Sequence, residues 1–266
     1  KLYGIPDSDY VAGEDSMFDV MHAMRTRIMT SPCFGGDRIL GAILFENTMD
    51  RQVEGMPTPT YLWEKKQVVP FLKVDKGLAP EENGVQMMKP MPGLDDLLKR
   101  GKEAGIFGTK MRSVIKSANS EGIQAIVEQQ FEIGKRIVAA GLMPILEPEV
   151  DIKAPDKQEC EELLKTNILK QLDALDGSTM VMLKLSLPTA VNHYKECIDH
   201  PKVLRVVALS GGYSREEANE ILAKQSGMIA SFSRALTEGL THSMSDEDFN
   251  KTLDASISTI YDASKA

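Results

Sequence analysis

The sequence predicts an α/β fold built on a parallel sheet, most simply a (β/α)8 TIM barrel whose first strand is missing from the N-terminus. Three observations carry this. Apolar runs of strand length recur seven times along the 266 residues. Amphipathic, helix-like segments lie between them, an alternation that implies parallel pairing with helices covering the sheet. Strand midpoints fall roughly 23 to 38 residues apart, the scale of a βα unit. An eight-unit barrel needs one strand more than these seven. An open doubly wound sheet needs no extra strand and is the alternative.

The chain opens on a helix-like stretch over 16–30 with no strand before it, which puts the gap at the start. Strands then read at 39–45, 68–74, 106–111, 142–150, 181–187, 204–209 and 228–232, each an apolar run of buried-strand length. The clearest helices read at 125–140, 156–174, 189–199 and 214–225. Ser214 and Glu217 form an S-x-x-E capping box, and Ser245 with Asp248 gives a similar start to a last helix ending near Ala263. No linker, low-complexity segment or close repeat interrupts the pattern, so residues 1–266 read as one barrel domain. Its length suits that reading, since such barrels run to about 250 residues.

Composition narrows the function. The formal net charge of −8 argues against a nucleic-acid surface. An anionic substrate requires a site that is cationic against the overall field. The three cysteines, Cys33, Cys160 and Cys197, are odd in number and widely spaced, which points to a reducing cytoplasm rather than a disulfide framework. No apolar run approaches the roughly 18 residues of a membrane span. Residues 1–6 do not read as a signal peptide, and no methionine starts them. Trp63 marks either a homo-oligomer interface or packing under a loop.

Lys184 is the most informative residue. It interrupts the otherwise apolar run 180–187. A buried ammonium is costly unless it is paired or gives up its proton. A desolvated lysine near other cations loses proton affinity and can form a Schiff base with a carbonyl substrate. The bland alternative is a strand-end lysine reaching solvent or a carboxylate. Other strands favour the chemical reading, because polar residues two apart recur near their carboxyl ends: Lys73 and Asp75, Lys110 and Arg112, Glu147 and Glu149, Lys184 and Ser186, Ser231 and Ser233. Residues two apart on a strand share a face. In a parallel barrel that face is the interior, whose upper rim holds the active site. Lys73 with Asp75 could equally be a local ion pair.

A phosphate site follows along the chain. Ser210-Gly211-Gly212 closes a strand just before the helix capped by Ser214, and glycines let backbone N–H groups approach an anion. The helix N-terminus adds a favourable field. Ser231, Ser233 and Arg234 offer hydroxyls and a guanidinium after the last strand. His193, Cys197 and His200 lie close together, but their spacing fits no standard zinc pattern and reads as a surface helix. No Walker loop or dinucleotide fingerprint is present. Neither a metal nor a cofactor is therefore expected.

These residues resemble a known family. Lys73-Val74-Asp75-Lys76-Gly77, Lys110-Met111-Arg112, Glu147-Pro148-Glu149, Leu183-Lys184, Leu209-Ser210-Gly211-Gly212 and Ser231-Phe232-Ser233-Arg234 look like class I fructose-bisphosphate aldolase, in its compact bacterial-type branch. The resemblance implies a metal-independent lyase of glycolysis and gluconeogenesis. Such an enzyme cleaves fructose 1,6-bisphosphate reversibly to dihydroxyacetone phosphate and glyceraldehyde 3-phosphate. By that pattern Lys184 matches the Schiff-base lysine, Glu147 the acid/base, and Lys110 the lysine beside it. Lys73 and Arg112 match pocket cations, and Glu149 the second carboxylate. Ser210, Gly211, Ser233 and Arg234 fall where the family binds the dihydroxyacetone-half phosphate, and Gly212 and Ser231 beside them join the expected substrate-binding set. The family's first-strand aspartate, in a stretch resembling Leu-Asp-x-Ser-x-Gly-Ser, has no match here. The resemblance therefore implies an N-terminal extension of roughly 20 to 30 residues, enough for a strand and its loop. Two alternatives remain: a Schiff-base lyase or transaldolase for another sugar phosphate, and a non-catalytic sugar-phosphate-binding barrel.

Overall fold

The computed structural model describes residues 3–6 and 13–266. Lys1 and Leu2, part of the opening stretch read above as no signal peptide, lie outside the described residues. Seven parallel strands form one sheet: β1 (Gly41–Leu44), β2 (Val69–Lys73), β3 (Gly108–Ile115), β4 (Met143–Val150), β5 (Val181–Ser186), β6 (Val203–Leu209) and β7 (Ile229–Ala230). Their spatial order follows the chain. A doubly wound sheet reverses direction at a switch point. This sheet never does, so the open alternative falls and the winding is that of a (β/α)8 barrel. Among the described residues β1 and β7 are each paired on one side only, so the seven strands make an arc rather than a closed ring. Val85–Gln86 adds a short antiparallel strand to the end of β3.

The longer helices are α1 (Glu14–Thr30), α2 (Thr58–Lys66), α3 (Leu94–Glu103), α4 (Ser120–Ala139), α5 (Lys157–Asp173), α6 (Arg215–Leu222) and α7 (Asp246–Ala263). Between sheet and helices lies the main core. Leu72, Met111, Leu146, Leu183 and Leu185 meet Ile123, Ile126, Phe131 and Ile137 of α4 and Leu164, Ile168 and Leu172 of α5 there. Leu164, Ile168 and Leu172 recur every four positions, and the buried residues Ile123, Ile126, Gln130, Gly134 and Ile137 of α4 every three or four, the stripe a core-facing helix needs. Each fully buried side chain of this kind contributes about 1.5–3 kcal/mol. No helix among the described residues is long and apolar enough to cross a membrane.

The inner face of the sheet carries two layers. The lower one is apolar: Phe71, Ile145, Met182 and Val207 pack with Ile43 and Ile229, so strands from β1 to β7 meet across the interior. Gly41 and Gly108 flank the Phe71 ring, and a Cβ on either would stand 2.9 Å from it. Glycine at these two positions lets one aromatic ring close the barrel floor. Two residues further along the same strands, on the same face, come Lys73, Glu147 and Lys184. These form the floor of the site.

The structure departs from the sequence reading in four places. β3 runs on to Ile115, so Lys110 and Arg112 sit within the strand rather than at its end. α4 begins at Ser120, capped by Asn119, whose side chain accepts the amide of Gly122. A Cβ on Gly122 would meet the Asn83 carbonyl at 2.1 Å, so this glycine marks close packing rather than a loop. The helix expected over 189–199 shrinks to Lys195–Asp199, because Asn192 takes a left-handed φ of 58° and is tied to the Gln225 side chain and the Ser226 amide. That segment is no surface helix, since His193, Tyr194 and Cys197 are all buried. Trp63 on α2 is 59% exposed and so packs under no loop.

Candidate active site

Four adjacent strands, β2 to β5, bring their polar side chains to one point. Lys73 ends β2, and the buried residue Asp75 follows it. Asp75 Oδ1 accepts from Lys73 Nζ at 2.7 Å and from the Gly77 amide at 3.3 Å, and Oδ2 accepts from the Arg112 amide at 3.1 Å. The local ion pair that the spacing allowed is therefore formed. Lys110 on β3 lies in register with Lys73. Its Nζ stands 3.8 Å from Asp75 Oδ2 and 2.8 Å from Glu147 Oε2. The Glu147 contact lies off the line of a hydrogen bond, so it acts as a contact between charges.

The pairings Ile145↔Met182 and Leu146↔Leu183 carry β4 alongside β5 and bring Glu147 beside Lys184. Lys184 Nζ lies 3.3 Å from Glu147 Oε1. Glu147 thus offers one oxygen to each lysine. Above it, Arg112 Nε donates to Glu149 Oε2 at 2.5 Å. That bond raises the proton affinity of the guanidinium further. Lys184, Lys110 and Glu147 are 8%, 7% and 3% exposed. Of the bland reading of Lys184, reach to solvent therefore fails, while reach to a carboxylate is met by Glu147.

Within this cluster four cations (Lys73, Lys110, Arg112, Lys184) face three carboxylates (Asp75, Glu147, Glu149). Lys73 pairs with Asp75, Lys110 with Glu147, and Arg112 with Glu149. Lys184 is the cation left over. Burial pushes its pKa below that of an ordinary lysine; Glu147 works against the shift and Lys110 with it. A buried amine with weakened proton affinity beside a carboxylate can attack a carbonyl carbon and exchange protons with its neighbour. Ser186, also on β5, turns its hydroxyl to the Val150 carbonyl at 2.6 Å and serves the strand pairing instead.

The loops after β6 and β7 lie next in the barrel order. Gly211 and Gly212 have φ of 64° and 121°, which only glycine adopts readily. Ser210 is buried, while Ser233 and Arg234 are exposed. The Ser231 amide donates to the Ala208 carbonyl at 2.7 Å, extending the β6–β7 pairing. The capping box of Ser214 and Glu217 is present. Its presence corrects one expectation, that the N-terminus of α6 would help hold a phosphate. Glu217 Oε2 accepts the Ser214 amide and Glu238 Oε2 the Arg215 amide, both at 2.9 Å, while Ser214 Oγ accepts the Glu217 amide. Two carboxylates therefore occupy that terminus. The 210–212 turn directly precedes this capped helix, and the 231–234 segment follows β7.

Asp75 is the site residue that sequence reasoning undervalued. Its signal was the Lys-x-Asp spacing, which alone reads as a local pair. Gln130, fully buried on α4, is another. Its Nε2 donates to the Met111 carbonyl at 3.2 Å and to Ser113 Oγ at 2.8 Å, bracing β3 from behind. Nothing in its helical context distinguishes it from a surface glutamine.

Comparison with known proteins identifies a family and a fold. The family model for class-I fructose-bisphosphate aldolase matches residues 17–189. A fructose-bisphosphate aldolase class 1 of Synechocystis is 62% identical over 98% of this chain and 87% of its own length. One from Porphyromonas gingivalis is 58% identical over 99% of this chain and 89% of its own. Among solved structures, the fructose-bisphosphate aldolase of Plasmodium falciparum superposes with a TM-score of 0.72 at 21% identity, covering 93% of this chain and 85% of that one. At that identity the likeness speaks for the barrel fold.

Proposed function

The chain belongs to the class-I fructose-bisphosphate aldolase family, and we propose that it cleaves fructose 1,6-bisphosphate reversibly to dihydroxyacetone phosphate and glyceraldehyde 3-phosphate through an imine on Lys184. The observation that carries this reading is the buried Lys184 amine, the one cation of its cluster without its own carboxylate, 3.3 Å from Glu147.

Neutral Lys184 attacks the ketone carbon C2, and Glu147 supplies the proton with which the carbinolamine hydroxyl leaves as water. Glu147, left as a carboxylate, takes the proton of the C4 hydroxyl as the C4 carbonyl forms, the electron pair of the C3–C4 bond passes to the iminium to give an enamine, and glyceraldehyde 3-phosphate departs. Protonation at C3 and hydrolysis return the amine and release dihydroxyacetone phosphate. The electron sink is made from the chain's own lysine, so this route calls on no metal or cofactor. Lys110 holds Glu147 from its other oxygen. Lys73 and Arg112 give the pocket its local positive charge within a chain of net charge −8. Glu149 orients Arg112. Ser210, Gly211, Gly212, Ser231, Ser233 and Arg234 receive the phosphate of the dihydroxyacetone half. The three free cysteines suit a reducing compartment, and a cytoplasmic place goes with this reading.

The test is borohydride trapping. The protein is incubated with dihydroxyacetone phosphate and reduced, and the adduct is mapped by peptide mass. An adduct at Lys184 supports the proposal, and its absence overturns it. A panel of mono- and bisphosphate sugars then separates this substrate from those of other imine-forming lyases.

A further inference from the structure

The geometry points to Asp75 as a positioning residue that sets the charge balance around Lys184, a role resting on the imine reading above. Lys73 and Lys110 lie in register on neighbouring strands, and both point into the barrel. Two ammonium groups so placed repel each other unless an anion separates them. Asp75 is that anion. It is 6% exposed, and one of its oxygens takes Lys73 Nζ at 2.7 Å while the other stands 3.8 Å from Lys110 Nζ. The amides of Gly77 and Arg112 fix its orientation, so the carboxylate is held rather than free to swing.

The consequence passes through Lys110. That ammonium is shared between Asp75 Oδ2 at 3.8 Å and Glu147 Oε2 at 2.8 Å. Glu147 in turn is shared between Lys110 and Lys184. If Asp75 loses its charge, Lys110 draws on Glu147 alone, and Glu147 has less to offer Lys184. The charged groups acting on Lys184 are Glu147 and Glu149 from β4 and Lys110 from β3, with Arg112 paired to Glu149 and Lys73 and Asp75 reaching the site through Lys110. β6 places uncharged Val207 in register beside Lys184. Removing the negative charge of Asp75 disfavours the Lys184 ammonium through Lys110 and the Glu147 they share. Asp75 thus keeps the nucleophile from losing its proton too readily for the proton exchange with Glu147.

Competitive acetylation of the full chain with acetic anhydride, followed across pH and mapped by peptide mass, reads the protonation midpoint of Lys184 without substrate. Asp75→Asn should move that midpoint acidward by about half a pH unit or more. Lys157, which sits in a separate ion pair with Glu161, should not move. Asp75→Glu should bring the midpoint back toward the parent. Lys73→Met should move it the opposite way, because it removes a cation and frees Asp75 for Lys110. The Lys73→Met arm keeps the test decisive if Asp75→Asn does not fold. An unchanged or alkaline-shifted midpoint in folded Asp75→Asn, or an acid shift in Lys73→Met, overturns the inference. Failure of the parent to form a borohydride adduct while these shifts appear would instead sink the imine reading, so the two failures are distinguishable.

Discussion

Replacing Lys184 with methionine should abolish turnover and make the protein more stable. The cluster holds four cations and three carboxylates, and Lys184 is the cation in excess. At an effective dielectric of about 20, a unit pair at its 3.3 Å separation from Glu147 is attracted by about 5 kcal/mol. That attraction is nevertheless outweighed, because the ammonium holds its proton less tightly than in water, with burial as the leading cause. Removing the side chain leaves no uncompensated charge, since Glu147 keeps the Lys110 ammonium at 2.8 Å. Methionine has a similar length and meets the apolar layer around Met182. A stabilisation of about 1–2 kcal/mol at neutral pH is expected, in line with replacing buried ions by apolar groups. This corresponds to a rise in Tm of about 2–8 °C for a chain of this size.

The pH dependence carries a definite sign. The folded-state pKa of Lys184 lies below its unfolded value, so between the two the unfolded chain binds more protons. The parent therefore gains stability as pH rises through that window. The advantage of Lys184→Met is largest below the depressed folded pKa and fades toward the ordinary lysine value of about 10.4. Urea unfolding of both proteins at several pH values measures it. A loss of more than about 1 kcal/mol at neutral pH, or a difference indifferent to pH, would refute the reasoning.

Other substitutions test separate parts of the structure. Glu147→Gln keeps the shape but loses the proton carrier, so kcat should fall about 10²- to 10⁴-fold while borohydride still traps an adduct at Lys184; an unchanged kcat would remove Glu147 from the chemistry. Gly211→Ala places a Cβ 2.6 Å from Ile152 Cγ2 at a φ of 64°. It should cost about 1–3 kcal/mol and raise KM for the phosphate substrate, and parent-like KM with parent-like stability would show that the turn has no such role. Ser214→Ala removes the cap of α6 and should lower stability by about 1 kcal/mol with KM unchanged, because that helix end is already occupied by carboxylates. A large KM effect there would restore the helix terminus to the phosphate site.

The strand positions were legible because each is a short apolar run, and those runs match β1 to β7 within a few residues. The Ser214 capping box was legible because its pattern is local, with both partners three residues apart. The end of β3 was not. Charged Lys110 and Arg112 look like a strand's exit to solvent, whereas here they face a shared interior that other strands neutralise. The helix expected over 189–199 failed for a similar reason. Asn192 is held in a turn by Gln225, 33 residues away. The occupied end of α6 depends on Glu238, 23 residues beyond Arg215. Pattern within a window cannot register either.

The sequence by itself determined the alternation of strand and helix, the inward pairs at every second residue, and the presence of an out-of-place lysine. These are properties of neighbours along the chain, set by side-chain period and by the cost of burying charge. Only the tertiary structure decided which cation must share its carboxylate with another. That depends on strand register, which places Glu147 between Lys110 and Lys184 and sets Asp75 between Lys73 and Lys110. Coulomb energies change steeply over a few ångströms in a buried site. The chemistry of Lys184 is therefore fixed by distances between strands, which residue order alone does not contain.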